Sequence, residues 1–220
     1  MDDVTWLGHA SFFFVDKQSG NCIYYIDPFD LKQQSLKPAD LIFITHAHYD
    51  HCSSDDIKKI MKDTTMVIAP RSCLDTLELP TEQMYTVEPN NSYTVKEFSF
   101  HTIPAYNIHP QRLQAHPRKN NWVGYIFTLN GKKIYHAGDT DFIPEMEKLK
   151  ELNLDIAMMP MGGKFTMDVD DMIKAANTIA AKTTIPMHYK RLLGEGYKEA
   201  EDKLKAGVKN SEVIILKELQ

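Results

Sequence analysis

One seven-residue segment constrains this sequence more than any other. It reads Thr-His-Ala-His-Tyr-Asp-His and directly follows an apolar run, Leu41–Ile44, that predicts a buried strand. Residues i and i+2 of an extended segment point to the same side, so His46 and His48 can reach one ion. Asp50 and His51 lie past the turn and can face a second position. Imidazole nitrogen and carboxylate oxygen are ligands that zinc and related ions accept, so the segment predicts a metal site.

Further ligands have to come from other turns, because one short segment cannot complete the coordination. Asp139 follows a predicted strand, Lys133–His136, and its two oxygens can bind separately and bridge two ions. His188 follows another predicted strand, Thr184–Pro186. A plain turn or a structural histidine would explain either position alone. The recurrence of a ligand type directly after a strand, at three distant places, favours a shared metal site.

Composition narrows the class of protein. The chain has 220 residues, of which 43% are apolar, and we predict a single domain over residues 1–220. A net charge of −5 disfavours a broad nucleic-acid-binding face. No apolar run approaches the roughly 18 residues of a membrane span, and the acidic start is unlike a signal peptide. Three scattered cysteines predict no disulfide framework and a cytoplasmic location.

A short basic cluster lies in the longest predicted loop. Arg112, Arg118 and Lys119 are interpreted as a solvated surface, since charged side chains mostly remain exposed. Together with Lys164 and Lys190, this loop offers an alternative role, because its cations could bind an anionic group of a substrate.

The apolar pattern divides the chain into two portions. In each portion the predicted strands come mostly first and the predicted helices follow them. Two such portions fit a four-layer αββα sandwich, an α/β (α+β) class of fold. Asn130-Gly131 predicts a two-residue hairpin. The predicted helices are residues 53–61, 72–79, 144–152, 169–181 and 197–206. The predicted strands are residues 4–7, 11–15, 22–27, 41–45, 66–69, 85–87, 92–95, 98–103, 123–129, 133–136, 156–159, 184–186 and 213–216.

Six motifs occur in an order that resembles the metallo-β-lactamase superfamily. The match runs from residue 4 to about residue 190, and it is most similar to stand-alone UPF0173 and ascorbate-6-phosphate lactonase-like proteins. The motifs are Thr5-Trp6-Leu7-Gly8-His9-Ala10, Ile26-Asp27-Pro28-Phe29, His46 to His51, Tyr135-His136-Ala137-Gly138-Asp139-Thr140, Gly162-Gly163-Lys164-Phe165-Thr166-Met167 and Ile185-Pro186-Met187-His188-Tyr189.

The resemblance implies the αββα metallo-β-lactamase fold, two divalent ions and a bridging hydroxide. The ions would be zinc, with manganese or iron as alternatives. By position, His46 and His48 would hold the first ion, and Asp139 would bridge. The ligands of the second ion would be Asp50, His51 and His188.

The third ligand of the first ion is where this sequence departs from the family. Many relatives carry a histidine two residues after a Pro-Ala pair, whereas this chain has Asn107, a poorer zinc ligand. The segment from Ala115 to Tyr125 resembles a variant within the same group. We therefore predict His116 as the ligand, with His109 second and Asn107 third. A metal–histidine bond would also hold this long loop in place.

Other residues of the motifs are expected to support the site. Asp27 is predicted to hydrogen-bond the histidine turn and fix ring orientation. His9 and His136 either line the pocket or contact ligand-supporting groups, or simply pack in the interior. Tyr189 could donate to a substrate oxyanion, or its ring could pack against the sheet.

Two divalent ions that share a water make hydroxide available at neutral pH. We therefore predict a binuclear metal-dependent hydrolase of a small ester, lactone, amide or phosphodiester, with Asp50 and Asp139 as catalytic residues. The expected partner is a small-molecule substrate, which could be anionic; a homo-oligomer is possible, membrane is not expected and nucleic acid is unlikely. The alternatives are a superfamily nuclease, a redox member with a di-iron site, and a metal-binding regulatory protein without turnover.

Overall fold

Two β-sheets form the framework of the chain, and the computed structural model describes residues 4–20, 22–32 and 36–219. The described residues up to Glu88, together with Leu216–Leu219, form a first unit, and Pro89–Ile215 form a second unit. The single domain predicted from the sequence stays a prediction. Among the described residues, no helix combines the length and apolar content that crossing a membrane requires.

The sheet of the first unit has six strands in chain order. Strands β1–β3 pair antiparallel and β3–β6 pair parallel. Helix α1 begins after Ser53, whose hydroxyl accepts from the amide of Asp56, as its N-cap type predicts. The strands are β1 (Val4–Gly8), β2 (Ser11–Asp16), β3 (Cys22–Ile26), β4 (Leu41–Phe43), β5 (Met66–Pro70) and β6 (Met84–Val87); the helices are α1 (Ser54–Ile60), α2 (Arg71–Leu74) and a 3₁₀ turn, Thr81–Gln83.

One apolar cluster of the first unit joins its sheet to its helices. Ile42 and Val67 of neighbouring parallel strands pack in one cluster with Ile57 and Ile60 of α1. Because β3 and β4 run parallel, their carboxyl ends meet at one edge of the sheet. Asp27 and the histidine turn both lie just beyond that edge.

The sheet of the second unit has seven strands in the order β13-β12-β11-β10-β9-β8-β7. Strands β7–β10 pair antiparallel and β10–β13 pair parallel. The strands are β7 (Ser92–Val95), β8 (Phe98–Pro104), β9 (Val123–Leu129), β10 (Lys132–His136), β11 (Ile156–Pro160), β12 (Thr183–Met187) and β13 (Glu212–Val213); the helices are α3 (Val169–Ile179), α4 (Lys190–Leu193), α5 (Tyr197–Gly207) and the 3₁₀ turns Arg118–Asn120, Pro144–Leu152 and Gly194–Gly196.

The predicted hairpin lies between β9 and β10. Asn130 and Gly131 both have positive φ, of 49° and 75°, which is the backbone that a type I′ turn requires. Because β10, β11 and β12 run parallel, the segments that follow them emerge at one edge of the sheet. Asp139, Gly162 and His188 lie in those segments.

Several elements differ from the sequence prediction in their bounds or their type. Strand β4 ends at Phe43 rather than Thr45, because the Thr45 amide donates to the Asp27 carboxylate instead of a strand. The helix predicted over residues 72–79 ends at Leu74, where Thr76 turns its hydroxyl onto the Cys73 carbonyl. Residues 144–152 form a 3₁₀ rather than an α-helix, beginning with a bond from Met146 to Ile143. The last strand stops at Val213 rather than Leu216, which belongs to the first unit.

Candidate metal centre

Asp27 organises the histidine turn of the first unit. Its side chain is completely buried, directly after β3, and its backbone adopts a left-handed φ of 46°. Oδ1 accepts from the Thr45 amide at 2.8 Å, and Oδ2 accepts from the Thr45 hydroxyl at 2.7 Å. Nδ1 of His51 lies 2.7 Å from the same Oδ2. A buried carboxylate is retained where several donors face it, and here three donors do so.

These bonds assign a tautomer to two imidazoles. The Thr45 hydroxyl gives its hydrogen to Asp27, so its oxygen accepts from Nδ1 of His46, which lies 2.9 Å away. His51 likewise donates from Nδ1 to Asp27. Each ring then carries its lone pair on Nε2, the form in which histidine binds a metal.

The remaining polar side chains of the turn lie close to these rings. Nδ1 of His48 is 3.1 Å from Nε2 of His46. Nε2 of His9 is 2.9 Å from Oδ2 of Asp50. One donor atom each of His9, Asp50 and His51 lies within 4.8 Å of the others, and the same is true of Asp27, His46 and His51. We call the six residues His9, Asp27, His46, His48, Asp50 and His51 the His-turn cluster.

A second cluster forms within the second unit around Asp139. This aspartate follows β10 and is 3% exposed. Its Oδ2 lies 3.3 Å from Nε2 of His116 and 3.2 Å from Nε2 of His188. Gly162 allows the chain to pass the His188 backbone, because a Cβ at Gly162 would lie 2.5 Å from the His188 carbonyl oxygen. We call His116, Asp139 and His188 the Asp139 cluster.

The structure brings His116, and not His109, to Asp139. His116 is completely buried, whereas His109 is exposed and its Nδ1 accepts from the amide of Gln111. Asn107 is also buried, but its amide donates to the carbonyls of Arg112 at 2.8 Å and Phe165 at 2.6 Å. Because both hydrogens of that amide are used, Nδ1 of His116 donates to the Phe165 carbonyl 3.1 Å away, which leaves its lone pair on Nε2.

The loop that carries His116 is held by a buried arginine. Arg112 is 6% exposed, so the prediction that it is solvated was wrong. Its Nε lies 2.9 Å from Oδ1 of Asp141, and an Nη donates to Asp171 at 2.8 Å. Burial acts to raise the pKa of Asp171, but the hydrogen bonds and charges of Arg112 and, to a smaller extent, Lys174 more than offset this and lower the pKa. Sequence patterning missed this residue because its partners lie 29 to 59 positions away.

Asp141 and Thr45 also support the clusters, and the sequence prediction assigned neither of them a role. Oδ2 of Asp141 accepts from the amides of Ile108 and His109, each at 2.8 Å, so it fixes the start of the His116 loop. The available signal was position: Asp141 lies two residues after Asp139, and Thr45 immediately precedes His46.

The other predicted residues make contacts outside the two clusters. His136 is completely buried, and its Nδ1 accepts from the amide of Gly138 at 3.2 Å. The Tyr189 hydroxyl donates to Glu201, so its ring packs inside the second unit rather than presenting a donor elsewhere. Arg118 lies over the Tyr106 ring and pairs with Glu145 at 3.0 Å.

Positive φ angles recur at the two clusters. His9, Asp27 and His188 have φ values of 52°, 46° and 55°, in the left-handed region that favours glycine. Non-glycine residues persist in such a backbone where the surrounding structure requires them, often at functional sites. Each of these three side chains belongs to one of the clusters defined above.

The donor set of both clusters consists of imidazole nitrogens and carboxylate oxygens. Zinc, manganese and iron all accept such ligands. Asp27 and the Phe165 carbonyl orient three of the imidazoles, in the manner of outer partners of metal-bound histidines. The residues of this chain therefore fit the divalent ions that the sequence predicts.

Comparison with known proteins identifies the class of this fold. The chain superposes on a candidate metal-dependent hydrolase from Parabacteroides distasonis with a TM-score of 0.83 and 32% identity, covering 99% of this chain and 93% of that one. A metallo hydrolase from Ignicoccus hospitalis gives a TM-score of 0.77 at 22% identity, covering 99% and 95% of the two chains. The metallo-β-lactamase fold class predicted from the sequence is confirmed.

The sequence-family model described as the β-lactamase superfamily domain matches residues 3–188 of this chain. A UPF0173 metal-dependent hydrolase of Thermoplasma acidophilum is 34% identical over 194 residues, which cover 84% of this chain and 82% of the relative. A UPF0173 metal-dependent hydrolase of Pyrococcus furiosus is 35% identical over 200 residues, which cover 86% and 85%. The chain belongs to the metallo-β-lactamase superfamily, within the UPF0173 family of metal-dependent hydrolases.

Asp27→Asn tests whether this carboxylate orients the imidazoles of the histidine turn for metal binding. The asparagine amide is neutral and has only one acceptor atom, so it cannot accept from all three donors as the carboxylate does. The His46 and His51 rings should therefore lose their fixed orientation. We expect metal affinity to fall about 10- to 100-fold, as for outer partners of other metal sites. Competition with a coloured chelator measures it.

Asp16→Asn is the matched control for this experiment. Asp16 is buried in the same unit and accepts from the Tyr24 hydroxyl and two amides, but from no imidazole. It should leave the metal affinity at the wild-type value. Equal affinity of Asp27→Asn and wild type would show that Asp27 has no such role.

Proposed function

We propose that this chain is a binuclear hydrolase that uses two zinc ions to cleave a small ester, lactone, amide or phosphodiester. The single observation that carries the proposal is that each cluster contains imidazoles whose Nδ1 atoms are held by hydrogen bonds to protein groups, which leaves their Nε2 atoms available to a metal. As the family resemblance implies, His46, His48 and His116 would hold one ion, and Asp50, His51 and His188 would hold the other. Asp139 would contribute to both positions.

When bound, such ions supply an acidified water and polarise the electrophilic oxygen of the substrate. Asp50 is the proposed proton acceptor, because its carboxylate lies near His51 and is 20% exposed. His9 holds Asp50 through a 2.9 Å contact between Nε2 and Oδ2, which fixes the direction of the carboxylate. Asp139 holds Nε2 of His116 and His188 within 3.3 Å of its own oxygen and so positions two ligands together.

The regulatory alternative without turnover rested on the substitution at Asn107. In the second unit the Asn107 amide is bonded to two carbonyl groups, and His116 takes the position beside Asp139. The ligand set therefore needs no contribution from Asn107, which supports the catalytic proposal. The free thiols of Cys22, Cys52 and Cys73 suit the cytoplasmic location that we also propose.

Metal content and turnover test the proposed function together. Purified, unchelated protein should contain two divalent ions per chain by plasma mass spectrometry, with zinc predominant. It should hydrolyse at least one member of a panel of esters, lactones, amides and phosphodiesters, and a chelator should remove that activity. A protein that binds no divalent ion, or binds two ions and cleaves none of these classes, would contradict the proposal.

His116→Ala tests the ligand at which this chain departs from its relatives. Loss of the imidazole should reduce the metal content from two ions to one per chain and lower the thermal midpoint of the metal-loaded protein, since a bound ion stabilises the native state. His109→Ala is the matched control, because it removes an exposed imidazole from the same loop. If the control lost an ion while His116→Ala kept both, the ligand would be His109.

A further inference from the structure

The loop that carries His116 also presents apolar side chains to solvent. Among the described residues, five large apolar side chains are exposed, and three of them lie in the second unit. Ile108 is 49% exposed and Leu113 is 41% exposed, both in the segment between β8 and β9. Phe165 is 40% exposed, in the segment between β11 and α3. Clustered exposed apolar residues often mark a binding surface.

The two segments are tied together by hydrogen bonds. The Asn107 amide donates to the Phe165 carbonyl at 2.6 Å, and Arg112 donates to the Gly163 carbonyl at 3.5 Å. Asp141 accepts from the Ile108 amide at 2.8 Å. The three apolar residues therefore sit on a braced backbone, and their exposure does not follow from a loosely held loop. We call Ile108, Leu113 and Phe165 the loop patch.

The loop patch is continuous with the Asp139 cluster. Nδ1 of His116 lies 3.1 Å from the carbonyl oxygen of Phe165 itself. Ile108 directly follows Asn107, whose amide bonds to that same carbonyl. The Phe165 backbone therefore lies at the Nδ1 edge of the His116 ring, one imidazole width from the Nε2 atom that faces Asp139.

The two arginines of this region are already paired with carboxylates. Arg112 pairs with Asp141 and Asp171, and Arg118 pairs with Glu145. Nζ of Lys164 lies over the Phe165 ring, 5.0 Å from its centroid. The two arginines therefore offer little uncompensated charge, which weakens the sequence-based idea that they bind an anionic group.

From these observations we infer that the substrate of the proposed hydrolase is an ester or lactone with an apolar acyl group, which packs on the loop patch. The inference rests on the proposed function and names its substrate class. Burying one methylene contributes about 0.8 kcal/mol, or about fourfold in affinity. Because the patch covers only one side of such a group, each added methylene should improve kcat/KM by less than that full factor.

Chain-length dependence tests this inference. With p-nitrophenyl acetate, butyrate and hexanoate, kcat/KM of the metal-loaded protein should rise with acyl length. The value for hexanoate should exceed that for acetate by at least about tenfold. Leu113→Ser and Phe165→Ser should each reduce the ratio of hexanoate to acetate by about threefold or more. Leu219→Ser is the matched control, since Leu219 is 45% exposed but lies in the first unit, and it should keep the wild-type ratio.

A binding measurement separates this inference from the proposed function. Calorimetric titration with hexanoate and acetate should show tighter binding of hexanoate, and Phe165→Ser should remove the difference. Metal-dependent ester cleavage with no length dependence, and equal binding of the two acids, would overturn the inference and leave the hydrolase intact. Absence of bound metal and of any cleavage would instead contradict the proposed function. Self-association that Phe165→Ser abolishes would assign the patch to a second copy and also overturn the inference.

Discussion

Replacing Asp139 by alanine is expected to remove both ions and all measurable hydrolysis. This carboxylate is 3% exposed, and one of its oxygens lies within 3.3 Å of two buried imidazoles. It is also the proposed bridge, so its loss affects both metal positions at once. The reduction in metal affinity should exceed the about 10- to 100-fold typical of outer partners. Mass spectrometry of the metal content and an ester assay measure the two effects.

Two further variants make the Asp139 result specific. Asp139→Asn keeps the size of the side chain but loses its charge and one acceptor, so it should also fail to retain two ions. Asp170→Asn is the matched control, because Asp170 lies on α3 and pairs with Lys203 at the surface. It should keep wild-type metal content and rate. An Asp139→Asn protein with two ions and full activity is incompatible with the proposed bridge.

Arg112→Ala is expected to cause the largest loss of folding stability. Truncation would leave Asp141, which is 2% exposed, with a buried charge and no guanidinium partner. Removing one partner of a buried ion pair costs about 3–5 kcal/mol. For a chain of this size that corresponds to a fall of about 6–20 °C in the thermal midpoint. Chemical denaturation and thermal scans at neutral pH measure the change.

Acid weakens a second contact of Arg112, its ion pair with Asp171. Arg112 holds the pKa of Asp171 below its ordinary value of 3.8, so this pair stabilises the fold above about pH 4 and loses its effect as pH falls through the lowered pKa. The stability difference between wild type and Arg112→Ala should therefore narrow in acid. Arg118→Ala removes an exposed ion pair and should change stability by only about 0–1 kcal/mol. Equal small effects of the two arginine variants would show that burial of Arg112 contributes nothing.

The sequence predicted best what depends on short spacing and strand ends. His46, His48 and His51 lie within one turn, so their proximity follows from the local backbone. Asp139 and His188 follow parallel strands, and such ends meet at one edge of a sheet. The Asn130-Gly131 hairpin likewise needed only local conformation.

The sequence failed where a side chain depends on distant partners. The burial of Arg112 requires Asp141 and Asp171, and neither spacing is periodic. The ranking of His116 above His109 came from the family resemblance and not from local spacing, because the orientation of His116 depends on the Phe165 carbonyl, 49 residues further along the chain. Strand β4 ends early because the carboxylate of Asp27, directly after β3, accepts a hydrogen bond from the Thr45 amide. Residue patterns alone do not reveal this contact.

The left-handed backbones of His9, Asp27 and His188 limit how far this protein can be stabilised by substitution. Strain of this kind costs on the order of 1 kcal/mol or more at each position, and glycine would relieve it. Glycine would also delete an imidazole or a carboxylate to which we assign a role in the proposed metal site. Selection for thermal robustness at these positions therefore opposes selection for turnover, and consensus-style engineering should spare all three.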